Sequence, residues 1–391
     1  MKTTTLFSAP LWASAFRPLF LLGVPCGLWL MLAWLAEPIA TFDKLWHGHE
    51  MIFGFTAAIV AGVILTALPS WAGIEEIKQR RLASLVFLWL AGRLLMALPL
   101  LPQLTTAVVD CALFPLMAAM LTPQLLRAQN RWYLLALPGL LGLAVANVTF
   151  HIGWVTGNEA RATDGLHFAV YTLLVLYILK SGVMIPVFTS NELRDRGRGA
   201  EIPRHVGLEV AAVLSIMALG WADLAGWGAA WVGAIGVLAT LVNAARLLRW
   251  RGWTVADVPV VFVMHLGIAW LVLALGLRAA AALSAAVPAQ AWLHAFTVGG
   301  MGLCMTVLMT RVVLRHTGRP VVLPGAIRLA YLLMFLAATL RLVWALWPLA
   351  DLLLQASAVL WIASFAIYLW LFGAMFWQPS MPRMAKPMVK A

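Results

Sequence analysis

Charge is what this chain has least of: 11% of its residues are Asp, Glu, Lys or Arg, and acids are the scarcer sign, 15 against 27 basic residues. A soluble protein spends about a quarter of its residues on charge to cover its surface, so a soluble globular fold is excluded. Cysteine is scarce too. Cys26, Cys111 and Cys304 are scattered through apolar runs, which rules out a disulfide framework or a thiolate metal site and leaves them as small buried hydrophobes. Long polar stretches are missing. The longest, Asn191 to Arg204, is too short to fold alone. No internal repeat is convincing, since Trp46-His47 and Trp292-Leu293-His294 share only a few residues. The first residues lack a small-residue cleavage site before the apolar run, so the first span is expected to act as the targeting element.

What is present is apolar sequence, 63% of the chain. It falls into runs of roughly 20 residues, each about the length that crosses ~30 Å of hydrocarbon. The spacing predicts an all-α, polytopic membrane bundle, one transmembrane domain over 1–391, of about twelve helices. The spans are 16–36, 46–69, 82–101, 105–126, 132–153, 165–188, 206–223, 226–248, 257–278, 290–314, 326–348 and 351–375. The seventh and eighth are the least secure, because Asp223 and Gly226 leave a very short hairpin between them.

The net charge of +12 does not point to nucleic acid, because the basic residues occupy alternate loops. Lys78, Arg80 and Arg81 follow span two, and Arg127 and Arg131 follow span four. Arg194, Arg196, Arg198 and Arg204 follow span six, Arg249 and Arg251 span eight, and Arg315, Arg319 and Arg328 span ten. Arg383, Lys386 and Lys390 lie in the tail; the opposite loops hold little beyond Lys44 and Arg161. Positive residues stay on the cytoplasmic side, so both termini are expected there.

That orientation stacks the histidines. His47, His49, His151, His167 and His294 fall in the outer third of the membrane, His265 lies below them, and His205 and His316 belong to the cytoplasmic face. Neutral imidazole is the commonest protein ligand for copper, zinc and haem iron and can sit at membrane depth uncharged. Each histidine alone also has a plainer reading, as a headgroup-level residue or a hydrogen-bonded helix contact; the layer as a set points to a metal or cofactor site. His47 and His49 are two apart, so on a helix they point about 200° apart and cannot share one ion; either the span begins at His49 with His47 in the preceding turn, or the two serve different sites. Glu50, three residues after His47, shares its face and is expected to orient that imidazole.

Glycines at 54, 62, 299, 300 and 302 lie below His49 and His294, and fit either close helix packing or room for a flat macrocycle. Arg93 and Arg341 lie deep enough to need partners, such as Asp110, Glu209 or a cofactor propionate, whereas Arg278 can snorkel from a span end. Trp46, Trp71, Trp132 and Trp154 sit at span ends, as interfacial belts require.

The run Trp46-His47-Gly48-His49-Glu50-Met51-Ile52-Phe53-Gly54-Phe55, followed by Leu65-Thr66-Ala67-Leu68-Pro69-Ser70-Trp71-Ala72-Gly73, resembles the signature of the NnrS family. So do Leu293-His294-Ala295-Phe296-Thr297-Val298-Gly299-Gly300-Met301-Gly302, Met309-Thr310-Arg311 and His316-Thr317-Gly318-Arg319-Pro320. Phe16-Arg17-Pro18-Leu19-Phe20, Ile185-Pro186-Val187-Phe188-Thr189 and His265-Leu266-Gly267 fit as well. As an ordered set spread from residue 16 to residue 320 they are specific. The resemblance implies a twelve-span bacterial inner-membrane protein with haem and copper, linked to nitric oxide through nitrosative-stress resistance and denitrification. Carried over by position, His47, His49, Glu50, His265, His294 and His316 fall in matching motifs. Two departures stand out. Val183, in Lys180-Ser181-Gly182-Val183-Met184, occupies the place of an expected arginine, with Lys180 as its candidate substitute, and Arg315 replaces an expected glycine.

The resemblance and the histidine layer together make His49, His265 and His294 candidate iron ligands and His151 and His167 candidate copper ligands. Reduction of nitric oxide would need an electron donor, with Glu50 as proton carrier. Two alternatives remain open at this stage: nitric oxide binding or sensing without turnover, and a cofactor-free transporter.

Overall fold

The computed structural model describes residues 6–36, 43–98, 100–199, 201–348 and 350–382. The basic tail residues Arg383, Lys386 and Lys390 lie outside them. Twelve long helices follow in chain order: α1 (Phe16–Leu35), α2 (Lys44–Ala72), α3 (Gln79–Ala97), α4 (Gln103–Arg127), α5 (Arg131–Thr156) and α6 (Glu159–Asp195). Then come α7 (Val206–Leu224), α8 (Ala229–Arg249), α9 (Pro259–Leu283), α10 (Ala291–His316), α11 (Gly325–Leu346) and α12 (Asp351–Phe376). Among the described residues, eleven are long and apolar enough to cross a membrane. The twelfth, α3, fails only on composition, because Arg80, Arg81 and Arg93 fall within its 19 residues.

The chain is therefore an all-α, multi-pass membrane protein. Each expected span has its helix, including the seventh and eighth, whose hairpin turns on Gly226 at φ +68°, a conformation that costs glycine little. The largest difference is α6. Its 37 residues would extend about 55 Å at 1.5 Å per residue, and they take up part of the polar stretch after Asn191. The segment beyond is tied down from the surface, where Arg196 and Arg198 both bond Asp257 (2.8 and 2.7 Å). The Arg198 hydrogen bond, followed by its charge and that of Arg196, holds the Asp257 carboxyl below its ordinary range.

Burial separates central from peripheral helices. In α2 and α10, 78% and 72% of the apolar stretch lies inside the molecule, against 33% for α7, α8, α11 and α12. These two central helices are also the ones broken by a π-helical stretch, at Glu50–Thr56 and at Ala295–Met301. In both, the stretch begins one residue after a histidine. π turns widen a helix locally and are often found at functional sites.

Two contacts pin α3 to α2. The indole N–H of Trp89 donates to the Gly54 carbonyl (3.0 Å) and that of Trp46 to the Met96 carbonyl (3.2 Å). Trp46 is thus a buried tie between helices, contrary to its expected place in an interfacial belt. Asp43 caps the start of α2 by accepting from the Trp46 N–H (2.7 Å). The α5–α6 hairpin closes on Gly157 at φ +69°. Its helices meet backbone to backbone: a side chain at Gly165 would come within 2.8 Å of the Ala146 oxygen and of Phe150 Cα.

At the arginine-rich end, Arg17 closes the bundle. Its guanidinium donates to the carbonyls of Met375 (3.0 Å), Phe376 (3.0 Å) and Gln378 (2.7 Å), and to Ser380 Oγ (2.9 Å). Those carbonyls have no helical partner, so a fixed cation suits them.

Candidate metal centre

The α2 π stretch starts at Glu50, which is buried with His49 beside it. His49 Nδ1 lies 3.0 Å from Glu50 Oε1. The structure therefore corrects the expected pairing, since Glu50 orients His49 and leaves His47 alone. His47 stands on the far side of the helix with its ring on Trp34, centroids 4.4 Å apart. The angular reasoning that separated the two histidines holds, and each belongs to its own cluster.

Three further helices complete the His49 cluster. From α3, Arg93 bridges Glu50 and Asp110 with one amino group each. Asp110, on α4, accepts through Oδ2 from His151 Nε2 (2.9 Å) and from the Asn147 amide (2.8 Å), both on α5. His49 Nε2 meets Asn147 Oδ1 at 3.0 Å and Asp110 Oδ2 at 3.1 Å. All six side chains are buried. Gly54 makes room for the Glu50–Arg93 contact, because a Cβ there would press on both at 3.2–3.3 Å.

Both nitrogens of His49 face only oxygens, and the Asn147 amide is oriented by its donation to Asp110. Arg93 lies between the Glu50 and Asp110 carboxylates, the pairing under which ions are tolerated inside a bundle.

One ligand atom from each of His49, Asp110 and His151 lies within 4.8 Å of the other two, the one such grouping among the described residues. Two imidazoles and a carboxylate suit a first-row transition ion. His151 Nδ1 is buried and meets no hydrogen-bond partner. The Glu50 carboxylate behind His49 is the kind of support that orients a metal-bound imidazole.

The other candidate residues do not join this group. His294 donates from Nδ1 to the Gln290 carbonyl (3.1 Å) and accepts from Arg341 at Nε2 (2.9 Å). His167 lies against Trp292, centroids 6.1 Å apart. Near it Tyr171 donates to Asp223 at 2.5 Å, and Arg278 pairs with the same carboxylate instead of snorkelling. His265 bonds Thr189 (3.0 Å) toward the arginine-rich end and keeps a buried, unpartnered Nδ1. His316 sits at that end, its ring 6.1 Å from Phe16 and its carbonyl accepting from Ser380 (3.0 Å). The candidate iron ligands His49, His265 and His294 are thus in three different places.

Sequence reasoning proposed Asp110 as a partner for Arg93 but not as a ligand, and missed Asn147 altogether. The signal was available: Asn147 is four residues before His151 in an apolar helix, so both lie on one face. Glu209, the other suggested partner, bonds Arg246 instead (2.7 Å) in a pocket that Gly182 leaves open. Lys180 is held over the rings of Trp71 and Tyr133 at 4.5 and 5.6 Å. Packing accounts for the glycines, as Gly62 abuts Phe20, Gly299 abuts Trp270 and Gly302 abuts Met334.

Fold and site define a class, a polytopic membrane bundle with a buried histidine–carboxylate cluster between its central and flanking helices. The chain belongs to the NnrS family: the profile of the NnrS protein matches residues 10–380, nearly the whole length. No curated protein and no solved structure matches it.

Proposed function

We propose that this protein handles nitric oxide at a metal centre held by His49, Asp110 and His151, at the end of the bundle that faces away from the cytoplasm. The observation that carries the reading is the convergence of two imidazoles and a carboxylate from three helices at one buried point. Family membership supplies the link to nitric oxide. Copper is the ion that this donor set suits best among those the family resemblance implies. For haem, the second implied group, His265 is the imidazole with an unengaged buried nitrogen to offer.

A metal ion here supplies a Lewis-acidic, redox-capable position for a small diatomic ligand. The chain's own part is clearer. Glu50 and Arg93 hold His49 in place, Asn147 fixes Asp110, and Phe150, stacked on His49 at 4.3 Å, shields that ring from water. Glu50, in contact with His49, is the carboxylate that would carry a proton to a reacting ligand.

The test is metal analysis and optical spectroscopy of the purified protein, oxidised, reduced and reduced with nitric oxide. Copper retained by the parent and lost in His49→Ala and His151→Ala supports the centre, whereas copper unchanged in both variants refutes it. A Soret band that shifts with nitric oxide and disappears in His265→Ala supports the haem assignment. Glu50→Gln separates turnover from binding: a reductase loses its rate with its spectrum kept, and a pure binder keeps its spectrum and its protective effect. A colourless, metal-free preparation from haem- and copper-replete cells would leave the transporter reading in its place.

A further inference from the structure

A second polar cluster lies at the histidine-bearing end, built by α2, α10 and α11, and it has the opposite character. Arg341 donates one amino group to His294 Nε2 (2.9 Å). Because His294 Nδ1 already donates to a carbonyl, that imidazole is neutral, and Arg341 gains a hydrogen bond but no counter-charge. Its guanidinium carbon lies 4.8 Å from the centre of the Trp344 ring. Three buried nitrogens here have no hydrogen-bond partner: Arg341 Nη1, Trp344 Nε1 and His47 Nδ1.

Every other guanidinium inside this end of the bundle has a carboxylate. Arg93 has Glu50 and Asp110, and Arg278 has Asp223. Arg341 has none among the described residues. A half-buried cation left without an anion is costly in a membrane protein, and unpaired buried N–H groups add to the cost. Among the described residues the cluster has donors in excess and no carboxylate, which is the composition of an anion site.

We propose that Arg341, with the Trp344 indole N–H as second donor, binds an oxyanion whose two oxygens fit the guanidinium fork. The occupant is a small monovalent oxyanion from solution, such as nitrite or nitrate. A phospholipid phosphate would present the same chemistry from the outer leaflet. His47, stacked on Trp34, walls the site on the α2 side, and its Nδ1 is the third group able to meet the anion. The site is separate from the His49–Asp110–His151 centre, and its success or failure is read independently of metal content.

The experiment is thermal unfolding of the full chain, delipidated in detergent, with sodium nitrite or nitrate against equimolar chloride. Nitrite is expected to raise the unfolding temperature of the parent and to leave Arg341→Gln unmoved. Without anion, Arg341→Gln is expected to unfold no earlier than the parent, because it removes an uncompensated charge; a purely structural clamp on His294 would make it unfold earlier. Trp344→Phe keeps the ring and deletes one donor, so nitrite affinity should fall about tenfold. Native mass spectrometry with phosphatidylglycerol distinguishes the sources: an adduct displaced by nitrite and absent in Arg341→Gln assigns the headgroup to the same site. If no anion of either kind binds the parent, or if Arg341→Gln binds equally, the proposal is overturned. Should Arg341→Gln fail to fold, unchanged nitrite affinity in Trp344→Phe overturns it instead.

Discussion

Replacing Asp110 by Asn removes one charge from a site where nothing else can take its place. Its Oδ2 accepts from His151 (2.9 Å) and from Asn147 (2.8 Å) and lies 3.1 Å from His49 Nε2, and its Oδ1 faces Arg93. The amide has the same shape but turns an N–H toward groups that are themselves donors, and it takes half the counter-charge from Arg93. Breaking a buried ion pair costs roughly 3–5 kcal/mol. Glu50 still opposes Arg93, so the lower figure applies, about 3 kcal/mol. Thermal unfolding in detergent can be followed with a thiol-reactive dye, because Cys26, Cys111 and Cys304 are free and half-buried. Arg93→Leu, Asp110→Asn and the double variant form a cycle. The two losses should overlap by about 2 kcal/mol, the coupling expected of charges in direct contact. A coupling below about 0.5 kcal/mol would show that the two residues do not act as one unit and would refute the cluster as described.

Three other outcomes follow from separate parts of the molecule. Gly165→Val should cost about 3 kcal/mol or prevent assembly of the α5–α6 hairpin, because its side chain would enter the backbone of Ala146 and Phe150; expression with a normal unfolding temperature would contradict this. Arg17→Ala should free the segment after Phe376, seen as protease cleavage near Gln378, while helix content is unchanged. The Asp257 carboxyl is held low by Arg198, so its contact is intact at neutral pH and is lost as pH falls through that lowered range. Amide-exchange protection of residues 196–199, corrected for intrinsic rate, should therefore fall on acidification, and Asp257→Asn should remove the pH dependence.

The sequence by itself determined the class and the number of helices. Apolar runs of bilayer length cannot avoid crossing a membrane, and backbone groups in lipid can be satisfied only within helices. It also showed that His47 and His49 part company if both lie on one helix, and the helix over Lys44–His49 meets that condition. The depth of each histidine along its span could be counted directly from residue number. Which residues meet at one depth was not legible. Rotation of each helix about its axis and the choice of neighbours are set by packing, and the apolar pattern of a membrane helix carries little directional information, since lipid and core are equally apolar. Only the tertiary structure could turn Glu50 from His47 to His49, through the π stretch that begins there. Only it could bring His49, Asp110 and His151 from separate helices to one ion-sized point, and leave Arg341 facing a neutral histidine where a carboxylate was expected.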